Sequence, residues 1–179
     1  VSGWFDDDHF GSQYAWDIVK HYPKAKRFML LGPWLHAANT VRDTHACHMG
    51  NNAQMYEAEV YWQRWFDYHL KGIDTGFAEE PGIKYYMLGA NEWRCSEEFP
   101  PADYVKTSLY LGLDGTLAAT PPEAEGQVCY DYDPNDPAPQ MIDPSENELS
   151  APGNYKDVEK RADVVCFTLP ITQTVEAVG

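Results

Sequence analysis

Phe28-Met29-Leu30-Leu31-Gly32-Pro33-Trp34-Leu35-His36 is the stretch on which the fold turns. Four consecutive large apolar residues, with no polar residue at alternate positions, suit a strand covered on both faces, as in a parallel sheet flanked by helices. Gly32-Pro33 ends the run. Trp34 and His36 therefore fall on the loop that leaves the strand's carboxyl end, where open α/β sheets carry their functional side chains.

Upstream, residues 1 to 5 read as the end of a second buried strand, and Asp6-Asp7-Asp8 as the polar loop that follows it. A helix is expected over residues 10 to 22, where Tyr14, Ile18 and Val19 give apolar spacing. Pro23 and the basic Lys24-Ala25-Lys26-Arg27 then separate it from the second strand. An acid at one strand end followed by a His at the next matches the Ser, Asp, His chain order of α/β hydrolases. In that chemistry neutral His36 accepts the nucleophile's proton, while Asp6 fixes its tautomer and stabilises the imidazolium. On spacing alone the pair competes with ordinary turn chemistry for the Asp and an ordinary loop position for the His.

Downstream, residues 55 to 70 place Val60, Trp62, Trp65, Phe66 and Leu70 at helical intervals, and Lys71-Gly72 closes the helix with a cation in its last turn and a glycine past it. Helical spacing favours core packing for Tyr61, Trp62, Trp65 and Phe66 over the lining of a substrate pocket. From Ile83 onward the signals are short and strand-like, at residues 83 to 88, 108 to 111, 128 to 132, 164 to 169 and 172 to 178. Turn segments such as Leu113-Asp114-Gly115 and Asp133-Pro134-Asn135-Asp136-Pro137 separate them, as at the start of a β-sandwich. The expected fold class is α/β: residues 1–82 as the C-terminal part of an α/β-hydrolase sheet, then residues 83–179 as part of a jelly-roll β-sandwich.

A formal net charge of −15 over 179 residues argues against nucleic acid or an anionic membrane surface as partner, since both need clustered Lys and Arg. The apolar runs are far shorter than the roughly 20 residues of a membrane-spanning helix. Cys47, Cys95, Cys129 and Cys166 are widely spaced and read as buried free thiols. No metal is expected. His36, His45, Cys47 and His48 fit no standard zinc spacing, and the prolines among Asp131, Asp133, Asn135 and Asp136 favour a structural turn over a calcium loop. The chain opens at Val1 with neither an initiator Met nor the pattern of a signal peptide, so an upstream segment is expected and the compartment is unreadable.

Four blocks in order carry a resemblance: Gly3-Trp4-Phe5-Asp6; Leu31-Gly32-Pro33-Trp34-Leu35-His36; Trp65-Phe66-Asp67-Tyr68-His69-Leu70-Lys71-Gly72; and Met87-Leu88-Gly89-Ala90-Asn91-Glu92-Trp93-Arg94. Tyr132-Asp133-Pro134 and Asp163-Val164-Val165-Cys166-Phe167 extend it. Together they resemble the cocaine-esterase-like acyl hydrolases, a family that includes α-amino-acid ester hydrolases and is related to X-prolyl dipeptidyl peptidases. The resemblance implies Asp6 as catalytic acid, His36 as catalytic base, and Asn91-Glu92-Trp93-Arg94 as the entry to a jelly-roll. In α-amino-acid ester hydrolases, acidic residues two and three positions after the catalytic Asp help bind the substrate ammonium. Asp8 and His9 stand there, so one carboxylate is kept and one replaced. Trp34, beside His36, is placed by its loop position either close to an acyl substrate or as a buttress of the His. The family's Gly-x-Ser-Tyr-x-Gly elbow and oxyanion-hole Tyr lie upstream of these blocks, and no Gly-x-Ser-x-Gly occurs in the chain.

The expected function is therefore that of a segment of a serine esterase or amidase, acting on a small acyl ester or amide, using no cofactor, and inactive by itself. The nucleophile would come from a missing N-terminal hydrolase segment or from another subunit of a homo-oligomer. The rival is a non-catalytic β-sandwich that binds carbohydrate or a protein partner, with Asp6 and His36 incidental.

Overall fold

The computed structural model describes residues 1–6, 9–35, 43–44, 47–53, 57–139, 141 and 153–177. The chain divides into two compact units, the first comprising Val1–Pro101 with Ile142–Gly153, and the second Ala102–Met141 with Asn154–Gly179.

In the first unit the elements run β1 (Ser2–Gly3), α1 (His9–Val19), β2 (Met29–Gly32), β3 (Asp43–Thr44), β4 (Cys47–His48), α2 (Glu57–Lys71), β5 (Ile83–Met87) and β6 (Glu92–Ser96). One mixed sheet of order β1-β2-β5-β6 organises them. Here β1 and β5 both lie parallel to β2, with Ser2 opposite Leu31 and Met29 opposite Ile83, while β6 returns antiparallel to β5. Successive side chains of a strand point to opposite faces, and Leu30 and Leu31 are both 0% exposed. The sheet is thus covered on both sides, as the apolar run requires.

On one face, Leu30 and Trp34 pack with Tyr61 of α2 and with Phe77. Helix α2 ends because Gly72 takes a left-handed φ of 67°, which turns the chain so that the Ile73 N–H reaches the Asp67 carbonyl at 3.1 Å. Arg64 of the same helix pairs with Glu80 at 2.8 Å and donates to the Thr75 carbonyl at 3.1 Å, fastening the segment that leads into β5. The helical face is only partly core: Tyr61 is buried, but Trp62 and Phe66 are 49% and 54% exposed. They border an apolar cavity of about 440 Å³ together with Trp16, Val19, Phe28 and Met29.

β5 and β6, which fall in the expected segment 83–179, are hydrogen-bonded members of the first unit's sheet, and that unit's first stretch runs to Pro101. A strand joins whichever neighbour satisfies its main chain, and β2 does so here over Met29, Leu30 and Leu31. The cysteines are free, but Cys95, Cys129 and Cys166 are exposed and Cys47 is half-buried.

The second unit holds β7 (Tyr110–Leu111) and β8 (Leu117–Ala118), paired antiparallel across a turn whose Gly115 has a φ of 80°. A parallel bridge joins Thr116 to Thr168. Among the described residues, 128–132 and 172–177 belong to no strand. Asp133 forms a turn of its own, its Oδ1 accepting from the Asn135 N–H at 2.8 Å.

The centre of this unit's polar order is Arg161. Its Nε and Nη2 donate to the two carboxylate oxygens of Asp163 at 2.7 and 2.8 Å, and Nη2 also reaches the Asp136 carbonyl at 2.8 Å. That hydrogen bonding holds the Asp163 carboxyl below the usual carboxylate range. A folded-state pKa below the unfolded value of about 3.9 stabilises the fold above the unfolded value, and the contribution is lost as pH falls through the folded one. The thermal midpoint of this unit is accordingly expected to drop as pH is taken below about 4, and Asp163→Asn to flatten that dependence. Scanning calorimetry of the two proteins at several acidic pH values checks it.

Candidate active site

Parallel pairing brings the carboxyl ends of β1 and β2 side by side. The register continues past the strands: the Trp4 N–H donates to the Gly32 carbonyl at 2.8 Å and the Phe5 N–H to the Trp34 carbonyl at 3.0 Å. The second bond lies one residue before Asp6 and two before His36. Such an approach leaves no room between the chains. A Cβ on Gly3 would stand 2.0 Å from the Trp34 carbonyl oxygen, and one on Gly32 would stand 2.3 Å from the Trp34 ring.

Asp6 is 7% exposed. Its N–H closes a turn onto the Gly3 carbonyl at 3.2 Å, and its Oδ2 accepts from the Ser2 hydroxyl at 3.4 Å, so strand β1 both delivers and holds the carboxyl group. A buried carboxyl of this kind is stable only with hydrogen-bonded partners. His36 and Asp8 lie outside the described residues.

Trp34, expected close to an acyl substrate, is a buried residue of the first unit. It is 3% exposed, belongs to the core cluster of Leu30, Tyr61 and Phe77, and spends its indole N–H on the Ala53 carbonyl at 2.8 Å. A buried indole needs such an acceptor, and this one lies in a segment that no local pattern connects to Trp34. Trp93 packs against it at 5.6 Å between ring centroids.

Sequence reasoning missed Tyr86, which is wholly buried on β5. Its hydroxyl lies against two acceptors, the Met49 carbonyl and Asn52 Oδ1, the latter at 2.8 Å. Burial pushes its phenol up, so it stays a neutral donor. The cavity beside Trp62 and Phe66 sits at the amino ends of the strands, lined by Val1, Phe28 and Met29, and is not part of this site.

Comparison with known proteins extends the picture. Residues 75–179 match the family described as the X-Pro dipeptidyl-peptidase C-terminal non-catalytic domain. The chain belongs to the cocaine-esterase and X-Pro peptidase-like family. Cocaine esterase of Rhodococcus sp. (strain MB1 Bresler) is 28% identical over 192 aligned positions, covering 100% of this chain and 33% of that protein. A protein of Mycobacterium bovis that bears the name of a serine esterase is 28% identical over 127 positions, 69% of this chain and 19% of its own. Among solved structures, an aminopeptidase from the marine sediment archaeon Thaumarchaeota archaeon superposes with a TM-score of 0.72 at 26% identity, over 92% of this chain and 29% of that one. The chain thus spans about a third or less of these relatives' lengths. Asp6 and the expected position of His36 precede the matched non-catalytic domain.

Proposed function

We propose that this chain is the acid- and base-bearing segment of a serine acyl hydrolase, with Asp6 and His36 as two members of a triad whose serine lies elsewhere. The observation that carries the reading is the Phe5 to Trp34 main-chain bond at 3.0 Å, which ties together the two strand ends from which these residues depart. A carboxylate buried at the end of a strand tied to the one that leads to His36 is what a triad acid needs: shielded from water, it interacts strongly with an imidazolium.

In the cycle so assembled, one nitrogen of His36 takes the hydroxyl proton of the serine as it attacks the acyl carbon. The other, bonded to Asp6, keeps the ring in the productive tautomer. The same His then hands the proton to the departing alcohol or amine, and water repeats the sequence on the acyl-enzyme. The relatives are named as an esterase and an aminopeptidase; both reactions share this acyl transfer, which supports a small acyl ester or amide as substrate. Asp8 is the residue for recognising a free α-ammonium in such a substrate. Residues 75–179 serve as the non-catalytic domain of the same hydrolase, α/β-hydrolase sheet first and jelly-roll second.

Titration of the His36 imidazole by NMR tests the pairing in this chain directly. A neighbouring carboxylate favours the imidazolium, so the wild-type midpoint is expected above the ordinary value of about 6.5 and should fall toward it in Asp6→Asn. Equal midpoints in the two proteins would refute the pair.

A further inference from the structure

Residues 49–53 lie at the exit of the segment that carries His36, and the main-chain carbonyls there are taken up in an unusual way. The Tyr86 hydroxyl reaches the Met49 carbonyl, the Trp93 indole N–H reaches the Asn52 carbonyl at 2.8 Å, and the Trp34 indole N–H reaches the Ala53 carbonyl at 2.8 Å. Three aromatic donors rooted in or beside the sheet thus grip three carbonyls within five residues. The Asn52 side chain completes the clamp, accepting from Tyr86 and donating Nδ2 to the Asn91 carbonyl at 2.8 Å. Asn91 sits in the β5–β6 turn with a φ of 56°, a left-handed conformation that Asn tolerates. Met49 and Ala53 are buried with Tyr86 as one apolar cluster, whereas the bonds from Trp93 to Asn52 and from Asn52 to Asn91 lie at the surface.

Trp34 engages both ends of the segment. Its own carbonyl accepts from Phe5 at the entrance, and its indole donates to Ala53 at the exit. We propose that Trp34, Tyr86 and Trp93 are positioning residues for the general base, fixing the two ends of the His36-bearing segment relative to the strand that carries Asp6. The proposal rests on the acid–base reading of Asp6 and His36. Its chemical rationale is the steepness of acid–base catalysis with geometry: a displacement of about 1 Å costs on the order of 10²-fold in rate. A polar, main-chain clamp resists that displacement better than apolar packing, because a hydrogen bond weakens steeply with misalignment.

The experiment uses the 179-residue chain and reads the shift in the His36 NMR midpoint caused by Asp6→Asn, measured in wild type, Trp93→Phe, Tyr86→Phe and Ile83→Val. Phe keeps most of each ring's packing and removes its donor. Ile83 is equally buried but pairs with Met29 at the far end of the sheet, so Ile83→Val controls for general loosening. The Asp6-dependent shift is expected to shrink to less than half in Trp93→Phe and Tyr86→Phe, and to persist in Ile83→Val. Should Tyr86→Phe fail to fold, Trp93→Phe decides, since its ring is only partly buried. A full shift in wild type and in both Phe variants would overturn the positioning role and leave the triad reading standing. A shift that shrinks equally in Ile83→Val would overturn it too. No Asp6-dependent shift in wild type would instead remove the acid–base reading, and this inference with it.

Discussion

Asp6→Asn, introduced into a hydrolase that carries this segment together with its nucleophilic serine, is expected to lower kcat by about 10⁴-fold with little change in KM. The substitution is nearly isosteric, so the buried side chain keeps its volume. The main-chain turn from the Asp6 N–H to Gly3 at 3.2 Å does not depend on the carboxylate. What changes is charge and tautomer. An amide presents either an N–H, which forces the His to show the wrong nitrogen to the serine, or a carbonyl without the charge that stabilises the imidazolium. Because both effects appear as the proton moves and not as substrate binds, they fall on kcat. A loss smaller than about tenfold would mean that Asp6 is a structural turn residue, whose removal acts only through stability. Stopped-flow or steady-state hydrolysis of an activated ester distinguishes the two outcomes.

How far these features could be read in advance depends on whether their causes are local. The β2 strand and the end of α2 were legible because each is set within a few residues: an unbroken apolar run before Gly32-Pro33, and Lys71-Gly72 at the turn. The sheet membership of Ile83–Met87 was not, since alternating Ile83, Tyr85 and Met87 specify a strand but not its partner. That partner, β2, lies more than fifty residues away along the chain, opposite Met29, Leu30 and Leu31. The strand signals at residues 128 to 132 show the converse. Val128, Tyr130 and Tyr132 have the right propensity yet are exposed, and propensity becomes a strand only where a neighbouring main chain completes the ladder. In the site, the order of Asp6 and His36 was visible, while the bond that brings their strands together belongs to the sheet. The loop position of Trp34 was apparent, whereas its acceptor on Ala53 was not. His36 itself lies outside the described residues.

The largest structural effect is expected at Gly3, whose replacement by Ala should abolish cooperative folding of the first unit or lower its stability by more than about 3 kcal/mol. The added methyl group would stand 2.0 Å from the Trp34 carbonyl oxygen and 2.5 Å from its carbonyl carbon. Those are main-chain atoms, and they are held in place: the same carbonyl accepts the Phe5 N–H at 3.0 Å, and the indole of the residue is bonded to Ala53 in the core. Relief therefore requires β1 to move away from β2, which breaks the Phe5 to Trp34 bond and carries Asp6 away from the His36 segment. Gly72→Ala is the informative contrast. A methyl group there meets nothing within 4 Å, so only the left-handed φ of 67° opposes it, and the cost should be about 1 kcal/mol. Chemical denaturation of the two variants against wild type measures both. Equal, small losses would show that the strands have slack between them, and a sheet with slack there could not hold an acid and a base in register for proton transfer.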